Sequence, residues 1–233
     1  MTHRQRWRSA IGMFLAITLA PPPASTQTPF EGIVESVNTT VDDDGMQLQY
    51  KMSMWVKGEM VKVVIAAAGD MPASTIISRA DWRVAWVLNE SDSTYFEVRN
   101  VDEKPSGRED DGSVVKRTGK KRTILGYPCE QVLVKQGEAE TEIWGTADLK
   151  NVGSALARGL GQEGVASAGG VNNNVSRLGL FPLVAKTRLA GKVLESSEVT
   201  RVVRKQLPAE LFAMPEGFRK QRVGDFIPQD RTP

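Results

Sequence analysis

Cys129 is the one thiol in the chain, and the one histidine, His3, lies inside an amino-terminal leader. With that leader removed no imidazole remains, so a Ser-His-Asp triad, a Cys-His pair and the usual zinc ligand sets are excluded. A lone thiol becomes a useful nucleophile when a neighbouring positive charge lowers its pKa. Cys129 instead follows Ile124-Leu125-Gly126-Tyr127-Pro128 and precedes Val132 and Val134. Its expected state is a buried packing thiol, a small hydrophobe.

The acidic residues offer no better chemistry. Asp42-Asp43-Asp44-Gly45 begins like a calcium loop, but counted from Thr40 the position that requires glutamate falls on Lys51. Hairpin turns account for this run and for Glu109-Asp110-Asp111-Gly112. Glu138, Glu140 and Glu142 share one face of a strand, where like charges repel, and are expected as a row facing water. Paired-carboxylate catalysis needs a set separation that nothing in this spacing supplies. The chain is therefore read as non-enzymatic, with no metal and no cofactor.

Two groups suit binding. Met46, Met52, Met54, Trp82, Trp86 and Leu88 place long flexible and flat side chains on alternating positions, which suits either a deformable apolar pocket or a plain core. The ligand-contact candidates are Met52, Met54, Trp82, Trp86 and Leu88, with Leu156 from a helix above them. Lys116, Arg117, Lys120, Lys121 and Arg122 cluster around Thr118-Gly119. Lys120, Lys121 and Arg122 could contact an anionic lipid headgroup; the other reading is a charged hairpin that keeps a sheet edge soluble.

Elements must position these residues, and the sequence supplies mostly strands. From Met46 to Val56 the even positions are apolar and the odd ones polar, except at Trp55. Such a strand, wet on one face, belongs to an antiparallel sheet. Similar runs lie at 30–37, 60–66, 75–78, 82–88, 94–99, 124–134, 139–144, 183–189 and 193–203, which makes about ten strands. Asp44-Gly45, Lys57-Gly58, Asn89 to Asp92, Asp111-Gly112, Gln136-Gly137 and Ala190-Gly191 mark turns between them, so a meander is expected. One helix interrupts it, with Thr146 as N-cap and an apolar stripe of Leu149, Val152, Leu156 and Leu160. Residues 161–180, rich in Gly, Asn, Ala and Ser, read as a flexible loop.

Composition fixes the setting. Arg4, Arg6 and Arg8 precede an apolar run of eleven residues, Ala10 to Ala20, that three prolines end. This pattern is a secretory signal peptide over residues 1–26, too short to span a bilayer. Residues 27–233 then form a single exported β-rich domain, in the periplasm or secreted, with no later transmembrane segment. Cys129 stands far from the leader, so lipid anchoring through a cysteine is not expected, and one cysteine allows no internal disulfide. The net charge of +2 comes from 30 basic and 28 acidic residues, and the leader holds three of the basic ones. A nearly neutral mature chain excludes a nucleic-acid partner.

The string from Val114 to Cys129, then Glu142-Ile143-Trp144-Gly145-Thr146, Gly179-Leu180-Phe181-Pro182-Leu183 and Met214-Pro215-Glu216-Gly217-Phe218, resembles an uncharacterised domain-of-unknown-function family of exported bacterial proteins. More loosely, the strand order with one central helix is similar to the LolA/LppX-like periplasmic lipoprotein and lipid carriers. That resemblance implies a curved antiparallel sheet or half-barrel with one or more helices against its concave face, around an apolar cavity. The expected fold is thus mainly β (α+β). The expected function is carriage of a lipid, acyl chain or lipidated peptide. The alternative is an envelope domain that interacts with a protein partner through a packed core and holds no ligand.

Overall fold

Alternating apolar and polar residues become strands wherever both faces of a sheet can be satisfied. The computed structural model describes residues 29–42, 44–99, 112–156 and 178–221. The leader, residues 102–111, Leu160 and most of the 161–180 loop lie outside them. Among the described residues twelve strands form one curved open sheet. They are β1 (Gly32–Val41), β2 (Gln47–Lys57), β3 (Met60–Ile65), β4 (Ser74–Arg79), β5 (Val84–Asn89), β6 (Thr94–Arg99), β7 (Val114–Ile124), β8 (Tyr127–Gln136), β9 (Ala139–Thr146), β10 (Phe181–Leu189), β11 (Lys192–Arg204) and β12 (Arg219–Lys220).

The order across the sheet is β12-β6-β5-β4-β3-β2-β1-β11-β10-β9-β8-β7. Two antiparallel meanders, β1 to β6 and β7 to β11, meet where β1 pairs with β11, and β12 adds in parallel to β6. Ten strands stand where alternation placed them; β7 and β12 are additional. The expected charged hairpin around Thr118-Gly119 is instead the single edge strand β7. Its register slips between Arg117 and Lys121, and Gly119 takes a φ of 78° there, as a bulge requires. The hairpin turns later, at Leu125-Gly126, where both residues have positive φ.

Register assigns sides, because successive side chains on a strand point to opposite faces. Val34, Met54, Val63, Ile76 and Val87 stand in one cross-strand row, and the side they share is called here the first face. The next row, Ile33, Trp55, Lys62, Ile77 and Trp86, lies on the second face. On the first face Val34, Met52, Met54, Val56, Val61, Val63 and Ile76 share one buried cluster with Leu149, Val152, Ala155 and Leu156. Those last four come from a helix whose described part spans residues 150–156 and from the turn before it.

Thr146 does not cap the helix directly. It ends β9, and its Oγ1 accepts the Asp148 N–H at 3.3 Å, closing the turn that precedes the helix. The second face carries its own cluster, Ile77, Val84, Trp86 and Leu88, covered by Leu207 and Phe212 of the carboxy-terminal segment. That segment includes a 3-10 turn at Ala209–Phe212. Trp55, the residue that broke the alternation of β2, packs into this second cluster. Each large apolar side chain so buried stabilises the domain by ~1.5–3 kcal/mol. A third cluster, Val132, Val134, Ile143, Leu180 and Ala185, lies toward the β7 end.

Candidate functional site

The six residues expected to line one apolar site divide between two faces and a turn. Met52, Met54 and Leu156, at 3%, 2% and 1% exposure, meet in the first-face cluster. Trp86 and Leu88 lie on the opposite face under the carboxy-terminal segment. Trp82 is 60% exposed in the turn between β4 and β5. The Arg79 guanidinium sits 3.7 Å over its ring, and Trp86 meets it edge-on with centroids 6.3 Å apart. Arg79 is in turn held by two hydrogen bonds to the Asp81 carboxylate. The ring is thus fixed outside the core.

Asn151 ties the helix to the segment that enters β1. Asn151 accepts the Phe30 N–H through Oδ1 at 3.1 Å and donates from Nδ2 to the Phe30 carbonyl at 2.9 Å. Phe30, just before β1, is itself buried in the first-face cluster. Below Val34 the same face of β1 turns polar, at Ser36 and Asn38, and both side chains remain buried. Ser36 stands opposite Met52 and Val199, and Asn38 opposite Tyr50 and Ser197. Asn38 Nδ2 donates to Ser36 Oγ at 3.2 Å, whereas Asn38 Oδ1 and, at the other end of the face, Ser78 Oγ have no hydrogen-bond partner. An unsatisfied buried polar atom costs ~1–3 kcal/mol. Burial, and secondarily the charge of Glu195, raises the Tyr50 pKa, so its phenol stays neutral.

Sequence reasoning passed over Ser36 and Asn38. The signal was present, since they continue the buried parity of Val34 along β1 with polar residues in place of apolar ones.

Cys129 is buried, its Sγ lies 3.5 Å from the Tyr127 carbonyl, and burial raises its pKa, which keeps the thiol protonated and inert. The glutamates expected as a water-facing row are not one. Glu138 falls in the turn before β9, and Glu140 pairs with Lys135. Glu142 is half-buried among Gln131, Trp144 and Arg188. The bond from Gln131, opposed in part by burial and then aided by Trp144 and Arg188, lowers its pKa.

On the edge strand β7, Lys116, Lys120, Lys121 and Arg122 are exposed. Arg117 is engaged by Glu130 and the Leu178 carbonyl, and Arg122 stacks 4.1 Å over the Trp144 ring. Lys120 and Lys121 have no ion-pair partner among the described residues. Thr118 closes the bulge by donating to Gln131 and accepting the Lys120 N–H. Among the described residues no helix is long and apolar enough to cross a membrane.

No curated protein matches the sequence. The chain is similar to the crystal structure of an uncharacterized conserved protein from Thermus thermophilus, with 11% identity, 82% of this chain and 91% of that one covered, and a TM-score of 0.46. It is also similar to the complex structure of Pseudomonas aeruginosa MucA/MucB, with 12% identity, 78% of this chain and 56% of that one covered, and a TM-score of 0.39. A putative outer membrane lipoprotein-sorting protein domain from Vibrio parahaemolyticus is similar at 9% identity, with 78% and 89% covered and a TM-score of 0.34. The string of short motifs from β7 to the carboxy-terminal segment has a firmer counterpart: residues 30–218 match the family described as Domain of unknown function (DUF4412), and the chain belongs to it.

Proposed function

We propose that this is an exported protein of the bacterial envelope that binds without catalysis, holding an acyl chain of a lipid or lipidated peptide between the helix at 150–156 and a concave first face. Export rests on the basic and apolar composition of the leader. The observation that carries the ligand reading is the make-up of the helix-to-sheet contact. Met52 and Met54, unbranched and adaptable, meet Leu149 of the turn and Val152 and Leu156 of the helix, which Asn151 fastens to Phe30 just before β1. Such side chains rearrange around an apolar guest at low cost. The contact is closed, so a chain enters only as the helix lifts and the methionines turn. Lys120, Lys121 and Arg122 on β7 would then face the headgroups of the donor membrane.

One observation favours a second reading, an envelope domain that meets a protein partner and holds no ligand. A void of roughly 300–1,000 Å³ would leave its walls accessible, and the first-face side chains are almost fully buried.

Native mass spectrometry of the protein exported into, and purified gently from, a bacterial envelope separates the two. A discrete lipid-sized adduct that organic solvent removes is the expected result. A bare protein, still bare after incubation with envelope lipid extract, would overturn the ligand reading and leave the partner reading.

A further inference from the structure

We propose that Ser36 and Asn38 are the polar end of this acyl site, and that the group they take is a neutral one that both donates and accepts a hydrogen bond, a hydroxyl or an amide. The inference rests on the acyl reading above and adds which headgroup the site accepts.

The geometry is specific. Ser36 and Asn38 point to the same face as Val34, Met52 and Met54, so the apolar floor of the site ends in this pair without leaving β1. One Asn38 Nδ2 hydrogen goes to Ser36 Oγ, which leaves the Ser36 hydroxyl hydrogen free to turn toward a guest. Asn38 Oδ1 is buried and accepts nothing. The pair therefore presents one acceptor, Asn38 Oδ1, beside two donors, the Ser36 O–H and the second Asn38 Nδ2 N–H. A hydroxyl or an amide meets both. An ionised carboxylate meets only the donors, leaves Oδ1 without one, and sets a negative charge against it where burial already penalises charge.

The flanking groups point the same way. Tyr50 and Ser197, the cross-strand neighbours of Asn38, are neutral, and the charge that acts on Tyr50 is the negative one of Glu195. The second orphaned atom, Ser78 Oγ, stands at the far end of the face between Val61 and Ala85.

The test compares three probes with one tail: palmitamide, 1-monopalmitoylglycerol and palmitate, titrated into the whole mature protein at about pH 8, where the carboxylate is ionised. Wild type is expected to bind the amide and the glyceride at least about tenfold more tightly than palmitate, equivalent to about 1.4 kcal/mol. Asn38→Leu, checked for folding by thermal melting, is expected to keep palmitate binding and to lose the preference to within about twofold. Ser36→Ala, which leaves the asparagine in place, should lose part of it and serves if Asn38→Leu fails to fold. Uptake of all three probes with equal affinity in wild type and variants would overturn the headgroup assignment while leaving the acyl reading standing. So would a liganded crystal structure with only an ordered water on Asn38 Oδ1. Uptake of none of them by wild type would overturn the acyl reading itself.

Discussion

Glu97 shows how far one carboxylate can fasten two elements. It stands on β6 next to Trp86 on β5, receives Arg99 at 2.6 Å and Lys220 of β12 at 3.0 Å, and accepts the Trp86 indole N–H. These bonds, Arg99 first and Lys220 next, lower its pKa from 4.5 to about 2. A carboxyl whose pKa falls on folding adds stability that is complete above its unfolded pKa and is lost as pH falls through the folded one. Wild type should therefore lose stability between about pH 4.5 and pH 2, and Glu97→Gln should flatten that part of the curve. Urea melts across this range give the measurement, and superimposable curves would show that the carboxylate does not hold β12. None of this was legible beforehand, because Glu97 and Lys220 are neighbours only through a parallel pairing that no local pattern announces. Trp86 was legible as an inward residue of an alternating strand, but its partners were not.

At the scale of elements, most strands could be read directly and the exceptions have physical reasons. β7 escaped because an edge strand with five cations has no apolar side to show, and its bulge at Gly119 breaks what alternation there is. β12, two residues long, has no pattern at all. The pairing of β1 with β11 is the joint of the sheet, and Gly32 is built for it. At a φ of 152°, a Cβ there would lie 2.0 Å from the Val203 carbonyl oxygen of β11. That contact is with backbone, which cannot swing aside. Gly32→Ala is expected to cost about 1–3 kcal/mol, read as a lower denaturant midpoint. Faster hydrogen exchange along both strands should accompany it, and an unchanged midpoint would mean that the strands slip apart without penalty.

For the molecule as a whole, what the sequence withheld was the relation between faces. Met54 and Trp86 each lie on a clean period of two, yet only the chain of pairings through Val63, Ile76 and Val87 puts them on opposite sides. Parity is local, whereas register accumulates through every turn between the strands. Once register is set, the first-face cluster draws Met54 and Val63 from one meander and Cys129, Phe181 and Leu183 from the other. Two meanders that share a core should unfold together rather than in sequence. Tryptophan reports on each half separately, because Trp55, Trp82 and Trp86 lie in the first meander and Trp144 in the second. A variant with Trp55, Trp82 and Trp86 replaced by phenylalanine keeps the Trp144 signal, and Trp144→Phe keeps the others. Within each variant the fluorescence melt is expected to coincide with the far-ultraviolet circular dichroism melt. A Trp144 transition that separates from the dichroism would instead make the β1–β11 pairing a hinge between two independently folding halves.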